Sequence, residues 1–339
     1  MKKEKTKLNE IESKVLYYLD LNSSSTLSSV ARKVGISPQR LEFIISKLEK
    51  NKIIKKYIPV IDYSKFSNYF IYFYLIKLTR CSYEEEEELL EKICENKNCI
   101  FVYKLDGEYD LFFGIMAKEL EEAYGIINKI LKDFGQKILR KSFGIISNIY
   151  LFPRRYLLNI CEEKESEELF YEKARKEHII IGLSKEKVKL GPEEIDILKI
   201  LSSDSKTKVN QIGKILKINP QTIWYKIRKL TDKKIIPSFT ILLDPQKYEH
   251  LFYFFDITTT AADENIIENL KNECKKFENL FRIFSLMEKD RLIVLAVFRS
   301  EEEKLSFINF LKQKNKEEIK EIKSYRVSEI YKFKYFIDF

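Results

Sequence analysis

The chain has 339 residues, 45% of them hydrophobic and 33% charged, and a formal net charge of +9. That length is about twice the usual domain, and nine Gly with seven Pro exclude a collagenous or low-complexity chain. The longest apolar run, residues 70–76, stops at Lys77, far short of the roughly 18 residues of a membrane span. Five scattered cysteines without a Cys-x-x-Cys spacing argue against a disulfide framework or a zinc site. Only two histidines, His178 and His250, are present, which leaves almost nothing for a metal centre or a Ser/His/Asp triad. There is no Gly-rich phosphate loop, and the basic residues 1–7 run into an amphipathic pattern that is not a secretory signal. The expectation is a cytoplasmic protein with no cofactor, no metal and no membrane contact.

In chain order, Ile11, Val15, Leu16 and Leu19 recur at helical spacing, and Leu27, Val30, Ala31 and Val34 make a second, shorter stripe. Gly35 ends that helix. Ser37 caps a third, Pro38 occupies its first turn, and Leu41, Ile44, Ile45 and Leu48 form its buried face. Three short helices, the last two joined by a tight turn, predict a helix-turn-helix, and residues 53–54 and 57–61 read as strands of an appended wing. The period then changes. Residues 70–78 predict a strand, 83–96 a helix with acidic Glu84 to Glu88 toward its positive end, 100–105 and 111–116 a hairpin, 119–134 a helix and 138–151 a strand. That order, βαββαβ, is ferredoxin-like, with helices on one sheet face and the other left for a partner.

Residues 161–178 are charged and read as a helical connector, after which everything repeats. Residues 8–62 align with 190–244 at a constant offset of 182 without a gap, pairing Leu16 with Leu198, Pro38 with Pro220, Gln39 with Gln221, Lys47 with Lys229 and Asp62 with Asp244. Strands at 252–257, 280–284, 292–298 and 322–333, with helices at 265–277 and 301–314, restate the second half. The fold class expected is α+β: two winged helix-turn-helix domains, 1–62 and 186–245, alternating with two ferredoxin-like domains, 63–152 and 246–339, around a connector at 153–185.

The run Val34-Gly-Ile-Ser-Pro-Gln-Arg40, Lys47-Leu-Glu49 and Ile53-Ile-x-x-Tyr57, followed by the turn Leu105-Asp-Gly-Glu-Tyr-Asp-Leu111, resembles the leucine-responsive regulatory protein / asparagine-synthase regulator (Lrp/AsnC) family. The resemblance spans nearly the whole chain, twice. It implies a transcriptional regulator bound to double-stranded DNA, and a small effector, often an amino acid, near the turn residues Gly107, Tyr109 and Asp110. The family's ferredoxin-like domains pair across chains. Here both units lie in one polypeptide, which implies an intrachain pseudo-dimer, with further self-association through sheet faces.

Charge distinguishes the copies. Residues 1–60 carry +7 and residues 186–247 carry +6, which leaves the remainder at −4, the distribution of a polyanion binder with two basic modules. The third helix of copy one holds Arg40, Lys47 and Lys50 against Glu42 and Glu49. That of copy two holds Lys226, Arg228, Lys229 and Lys233 against Asp232 alone. Copy two is therefore expected to be the main DNA reader. Gln221, Thr222, Trp224, Tyr225, Lys226, Arg228, Lys229 and Lys233 are its contact candidates, and Gln39, Arg40 and Lys47 are those of copy one. Two alternatives share the fold: a scaffold that does not bind DNA, and an enzyme resembling the siroheme decarboxylases. In those enzymes His and Arg around the hairpin serve tetrapyrrole carboxylates, and residues 102–110 here contain neither.

Overall fold

A computed structural model describes residues 5–158, 179–184, 186–244 and 247–335. The expected connector helix at 161–178 lies outside the described residues. The chain divides into two compact units: Met1–Ser67 joins Pro153–Glu249, and Asn68–Phe152 joins His250–Phe333. Each unit therefore combines like parts of the two copies.

In the first unit, α1 (Glu10–Leu21) opens with a capping box, in which the Asn9 side chain accepts from the Glu12 amide and Glu12 accepts from the Asn9 amide. Helix α2 (Leu27–Val34) is capped by Thr26 and ends on Gly35 at φ +79°, and α3 (Pro38–Lys50) is capped by Ser37. Their twins are α6 (Pro192–Ser203), α7 (Val209–Leu216) and α8 (Pro220–Asp232), numbered after the helices of the second unit. The twin of Gly35 is Lys217, which holds the same left-handed conformation at φ +57° against the steric cost of its Cβ. Val15, Leu16, Leu41, Leu48, Ile197, Leu198, Ile223 and Leu230 are buried between the helices.

The expected wing of two strands per copy is corrected by the structure. Each copy supplies one strand, β1 (Ile54–Val60) or β7 (Ser238–Leu243), and these pair antiparallel with each other, Tyr57 opposite Ile241 and Val60 opposite Ser238. A lone strand leaves its backbone polar groups without partners, and the second copy supplies them. The exchange is symmetric. The Ser23 amide donates to the Phe239 carbonyl (2.8 Å) and Ser205 to Tyr57 (3.1 Å); Asp62 donates to Ile235 (2.9 Å) and Asp244 to Ile53 (3.0 Å). Each bond recurs at the 182-residue offset.

The second unit contains β2 (Phe70–Leu78), α4 (Tyr83–Glu95), β3 (Cys99–Asp106), β4 (Leu111–Ala117), α5 (Leu120–Leu131) and β5 (Ile138–Leu151) from copy one. Copy two contributes β8 (Leu251–Thr259), α9 (Glu264–Cys274), β9 (Leu280–Leu286), β10 (Arg291–Phe298), α10 (Glu301–Lys314) and β11 (Ile319–Phe333); β6 is the short strand Ile179–Ile181 of the first unit. Strand pairing runs β2-β4-β3-β11-β8-β10-β9-β5, and β5 pairs back onto β2, so eight antiparallel strands close into a barrel. The first part of β5 lies against β2 of its own copy and the rest against β9 of the other; β11 divides its pairing between β8 and β3 in the same way.

The sheet faces expected to await a partner instead meet inside this barrel. Phe112 lies 4.6 Å from Phe254 and 4.9 Å from Phe101, ring centre to ring centre, and Phe254 lies 5.4 Å from Tyr325. Such pairs add about 0.5–1.5 kcal/mol each beyond the area they bury. The outer faces are covered: Tyr74, Ile76, Phe113 and Ile115 pack with Leu89, Ile93 and Ile127 of α4 and α5, and Phe255, Ile257 and Val294 pack with Leu270 and Phe307 of α9 and α10.

Candidate nucleic-acid interface and effector turn

Pro at the first turn and a side-chain cap fix the start of both third helices, so the residues just inside each start occupy matching places. Gln39, Arg40 and Lys47 are exposed on α3, and Gln221, Thr222, Trp224, Tyr225, Arg228 and Lys229 on α8, with Lys233 at its end. Phe43 (69% exposed) and Tyr225 (62%) protrude at twin positions.

Ion pairs then separate the free cations from the committed ones. Lys47 Nζ lies 2.7 Å from Glu12 Oε1, while Lys226 reaches Glu194 (2.9 Å) and Glu193 (3.0 Å) at the start of α6. The twin of Lys226 is the buried Ile44, so Lys226 occupies a core-flanking position and turns its ammonium along the helix pair. The hydrogen bond to Glu194, then that to Glu193, raises its pKa, and the same contact lowers that of Glu194. Among the described residues Arg40, Lys229 and Lys233 make no ion pair, and Arg228 has only a long contact of 3.9 Å to Asp232 while lying over the Trp224 ring at 5.4 Å.

Glu49 of α3 is also committed. It accepts from Tyr57 Oη (2.7 Å) and from Lys206 Nζ (2.7 Å) of the other copy, and Lys206 sits 3.6 Å above the Tyr57 ring. Those two bonds outweigh partial burial, which acts upward, and hold Glu49 below the ordinary carboxylate pKa. A second link is more deeply buried. Arg154 pairs with Asp20, donates to the Ile241 carbonyl (3.1 Å), and Asp20 also accepts from Thr240 Oγ1 (2.8 Å). Neither link was read from the sequence, since both join residues that no local pattern relates; the repeat of Glu12 as Glu194 was the one available signal for the helix-pairing lysines.

In the second unit the turn between β3 and β4 brings Gly107, Tyr109 and Asp110 together. Gly107 has φ +155°, and a Cβ there would come within 2.8 Å of the Tyr325 ring, so close approach as well as turn geometry demands glycine. Tyr109 is buried with its ring 6.2 Å from Tyr325. Asp110 accepts from the Leu78 amide and from Lys77 Nζ, both at 2.7 Å. Buried Asp256 pairs with half-buried Arg291 nearby, with Arg291 also donating to Ser142 Oγ (3.3 Å). Tyr325 Oη is buried without a hydrogen-bond partner among the described residues, and burial, then Asp256, pushes its pKa up. No group of three His, Cys, Asp or Glu among the described residues is placed to hold a metal, and no described helix is long and apolar enough to cross a membrane.

This arrangement defines a protein with two winged helix-turn-helix domains. A family model described as winged helix-turn-helix DNA-binding matches residues 8–55 and again 194–236. An uncharacterised HTH-type transcriptional regulator of Pyrococcus horikoshii is 31% identical over 39% of this chain and 83% of its own length. The HTH-type transcriptional regulator LrpA of Pyrococcus abyssi is 30% identical over 33% of this chain and 77% of its own. The chain belongs to the Lrp/AsnC family, as a tandem duplication of its unit. Over its full length it also shares a fold with the siroheme decarboxylase NirDL, at a TM-score of 0.57 and 15% identity, covering 96% of this chain and 93% of that one.

Proposed function

We propose that the chain is a sequence-specific, DNA-binding transcriptional regulator of the cytoplasm and not an enzyme, its two helix-turn-helix domains acting as an intrachain pseudo-dimer with copy two the main reader. The observation that carries this reading is the reciprocal backbone exchange between the copies, Ser23 to Phe239 with Ser205 to Tyr57 and Asp62 to Ile235 with Asp244 to Ile53. Two recognition helices related in this way suit two half-sites on one DNA face. The cations support the division of labour: copy two keeps Arg228, Lys229 and Lys233 for DNA, whereas copy one has Lys47 on Glu12 and carries Glu42 and Glu49 on its helix. Lys226 serves mainly to hold α6 against α8.

The test is to select genomic fragments with the purified protein and measure affinity for an enriched and a scrambled duplex across a salt series. The expected result is at least a hundred-fold preference, with Arg228→Ala and Lys229→Ala together weakening binding more than Arg40→Ala and Lys47→Ala together. Equal losses would remove the asymmetry. Gly107, Tyr109 and Asp110, with the ring of Tyr325, whose hydroxyl has no partner among the described residues, packed against the turn, are proposed to take a small effector of amino-acid type, checked by titrating free amino acids and repeating with Tyr325→Phe. The full-length likeness to a siroheme decarboxylase favours one other reading: iron-tetrapyrrole binding at one equivalent, seen as a shifted Soret band, would favour the enzyme.

A further inference from the structure

The buried stripe of α3 is Leu41, Ile44, Ile45 and Leu48, so the ridge pointing directly away from the core is Gln39, Phe43, Ser46 and Lys50, spaced i, i+4, i+7 and i+11. The corresponding ridge of α8 is Gln221, Tyr225, Arg228 and Asp232, and all eight residues are exposed. The two ridges begin alike, with Gln in the first turn and an aromatic ring one turn later, although the remaining helix surface has diverged in charge. Neither glutamine side chain makes a hydrogen bond within the described residues, and neither aromatic ring is covered.

Recognition helices present their N-terminal residues to base edges in the major groove. There, a Gln amide matches the N6 and N7 edge of adenine, an apolar surface matches the thymine methyl, and an Arg fork matches O6 and N7 of guanine. Resting on the DNA-binding reading above, we propose that Gln39 and Gln221 are equivalent specificity residues that each read an adenine, with Phe43 and Tyr225 against a thymine methyl beside it. The third ridge position breaks the equivalence. Ser46 is short, whereas Arg228 lies over Trp224 with its one carboxylate contact among the described residues a long 3.9 Å, available for a guanine. The target is thus a duplex with two A·T-containing half-sites in inverted, dyad-related arrangement, one of them marked by a G·C pair. Asp232 lies at the far end of its ridge, away from the helix start that enters the groove.

The experiment is selection from a random duplex library by the intact protein and by Gln39→Ala, Gln221→Ala and Arg228→Ser, with thermal melting of each variant as the check on folding. The expected wild-type pool holds adenine at two symmetry-related positions and a guanine on one side only. Gln221→Ala should relax the adenine on the guanine-marked side and Gln39→Ala the other. Arg228→Ser should erase the guanine and weaken the marked duplex roughly 5- to 150-fold. A pool with a fixed motif that lacks these adenines, or keeps every base preference in the variants, overturns the assignment and leaves the regulator standing. A pool without any motif, or no retained DNA, overturns sequence-specific reading and the assignment with it.

Discussion

Ser23 donates to Phe239 as its twin Ser205 donates to Tyr57, yet Asp20, three residues before Ser23 in the last turn of α1, holds Arg154, and its twin Ser202 is buried with a hydroxyl that has no partner among the described residues. The two helix-turn-helix domains thus share their backbone exchange and differ in the side chains laid over it. Backbone bonds depend on register, which survives substitution as long as the apolar pattern survives. Side-chain links depend on identity at both ends and are lost when either end drifts. Duplication within one chain leaves each copy able to specialise while the frame between them is retained.

The largest test of that contrast is Asp20→Ala beside Ser202→Ala. Removing Asp20 takes the carboxylate partner from a buried guanidinium that still donates to the Ile241 carbonyl and is expected to cost about 2–4 kcal/mol in denaturant unfolding, whereas Ser202→Ala is expected to be near neutral. Similar values at the two twins would mean that the Asp20 link contributes little to the frame. Next are the helix ends: Gly35→Lys is expected to destabilise by about 1–2 kcal/mol, and Lys217→Gly to stabilise by about 0.5–1 kcal/mol, since only one twin has the residue that its left-handed conformation favours. No gain from Lys217→Gly would place the strain elsewhere. The smallest effect is one of pH. Glu194, held below its ordinary 4.5 chiefly by the hydrogen bond from Lys226, contributes stability that is present above that value and lost as pH falls through its folded pKa. Glu194→Gln should therefore lower stability at pH 7 and flatten its decline in acid; an unchanged acid limb would detach this pair from the fold.

Local chemistry made much of the fold legible. Ser37 before Pro38, Gly35 at a helix end and the apolar periods put the helices and strands of both copies in place, because those signals lie within a few residues of what they determine. The partners of the strands were hidden. Residues 54–60 looked like part of a local wing, and nothing in them says that the hydrogen bonds go to Ser238–Leu243. Likewise β5 reads as one continuous strand, but its change of partner near Ile146 is a property of barrel closure. At the candidate interface, Lys226 counted as one more basic residue in a helix. Its alignment with buried Ile44 was visible, and the structure turns it toward Glu193 and Glu194.

The shared strands have a consequence for assembly. Neither copy closes the barrel alone, since β5 and β11 each finish their pairing on the other copy. Tethering makes that closure intramolecular, so it no longer depends on protein concentration as the meeting of two separate chains would. Copy one of a first molecule nevertheless presents the same edges to copy two of a second, so refolding at high protein concentration should yield domain-swapped dimers that dilution alone does not quickly release.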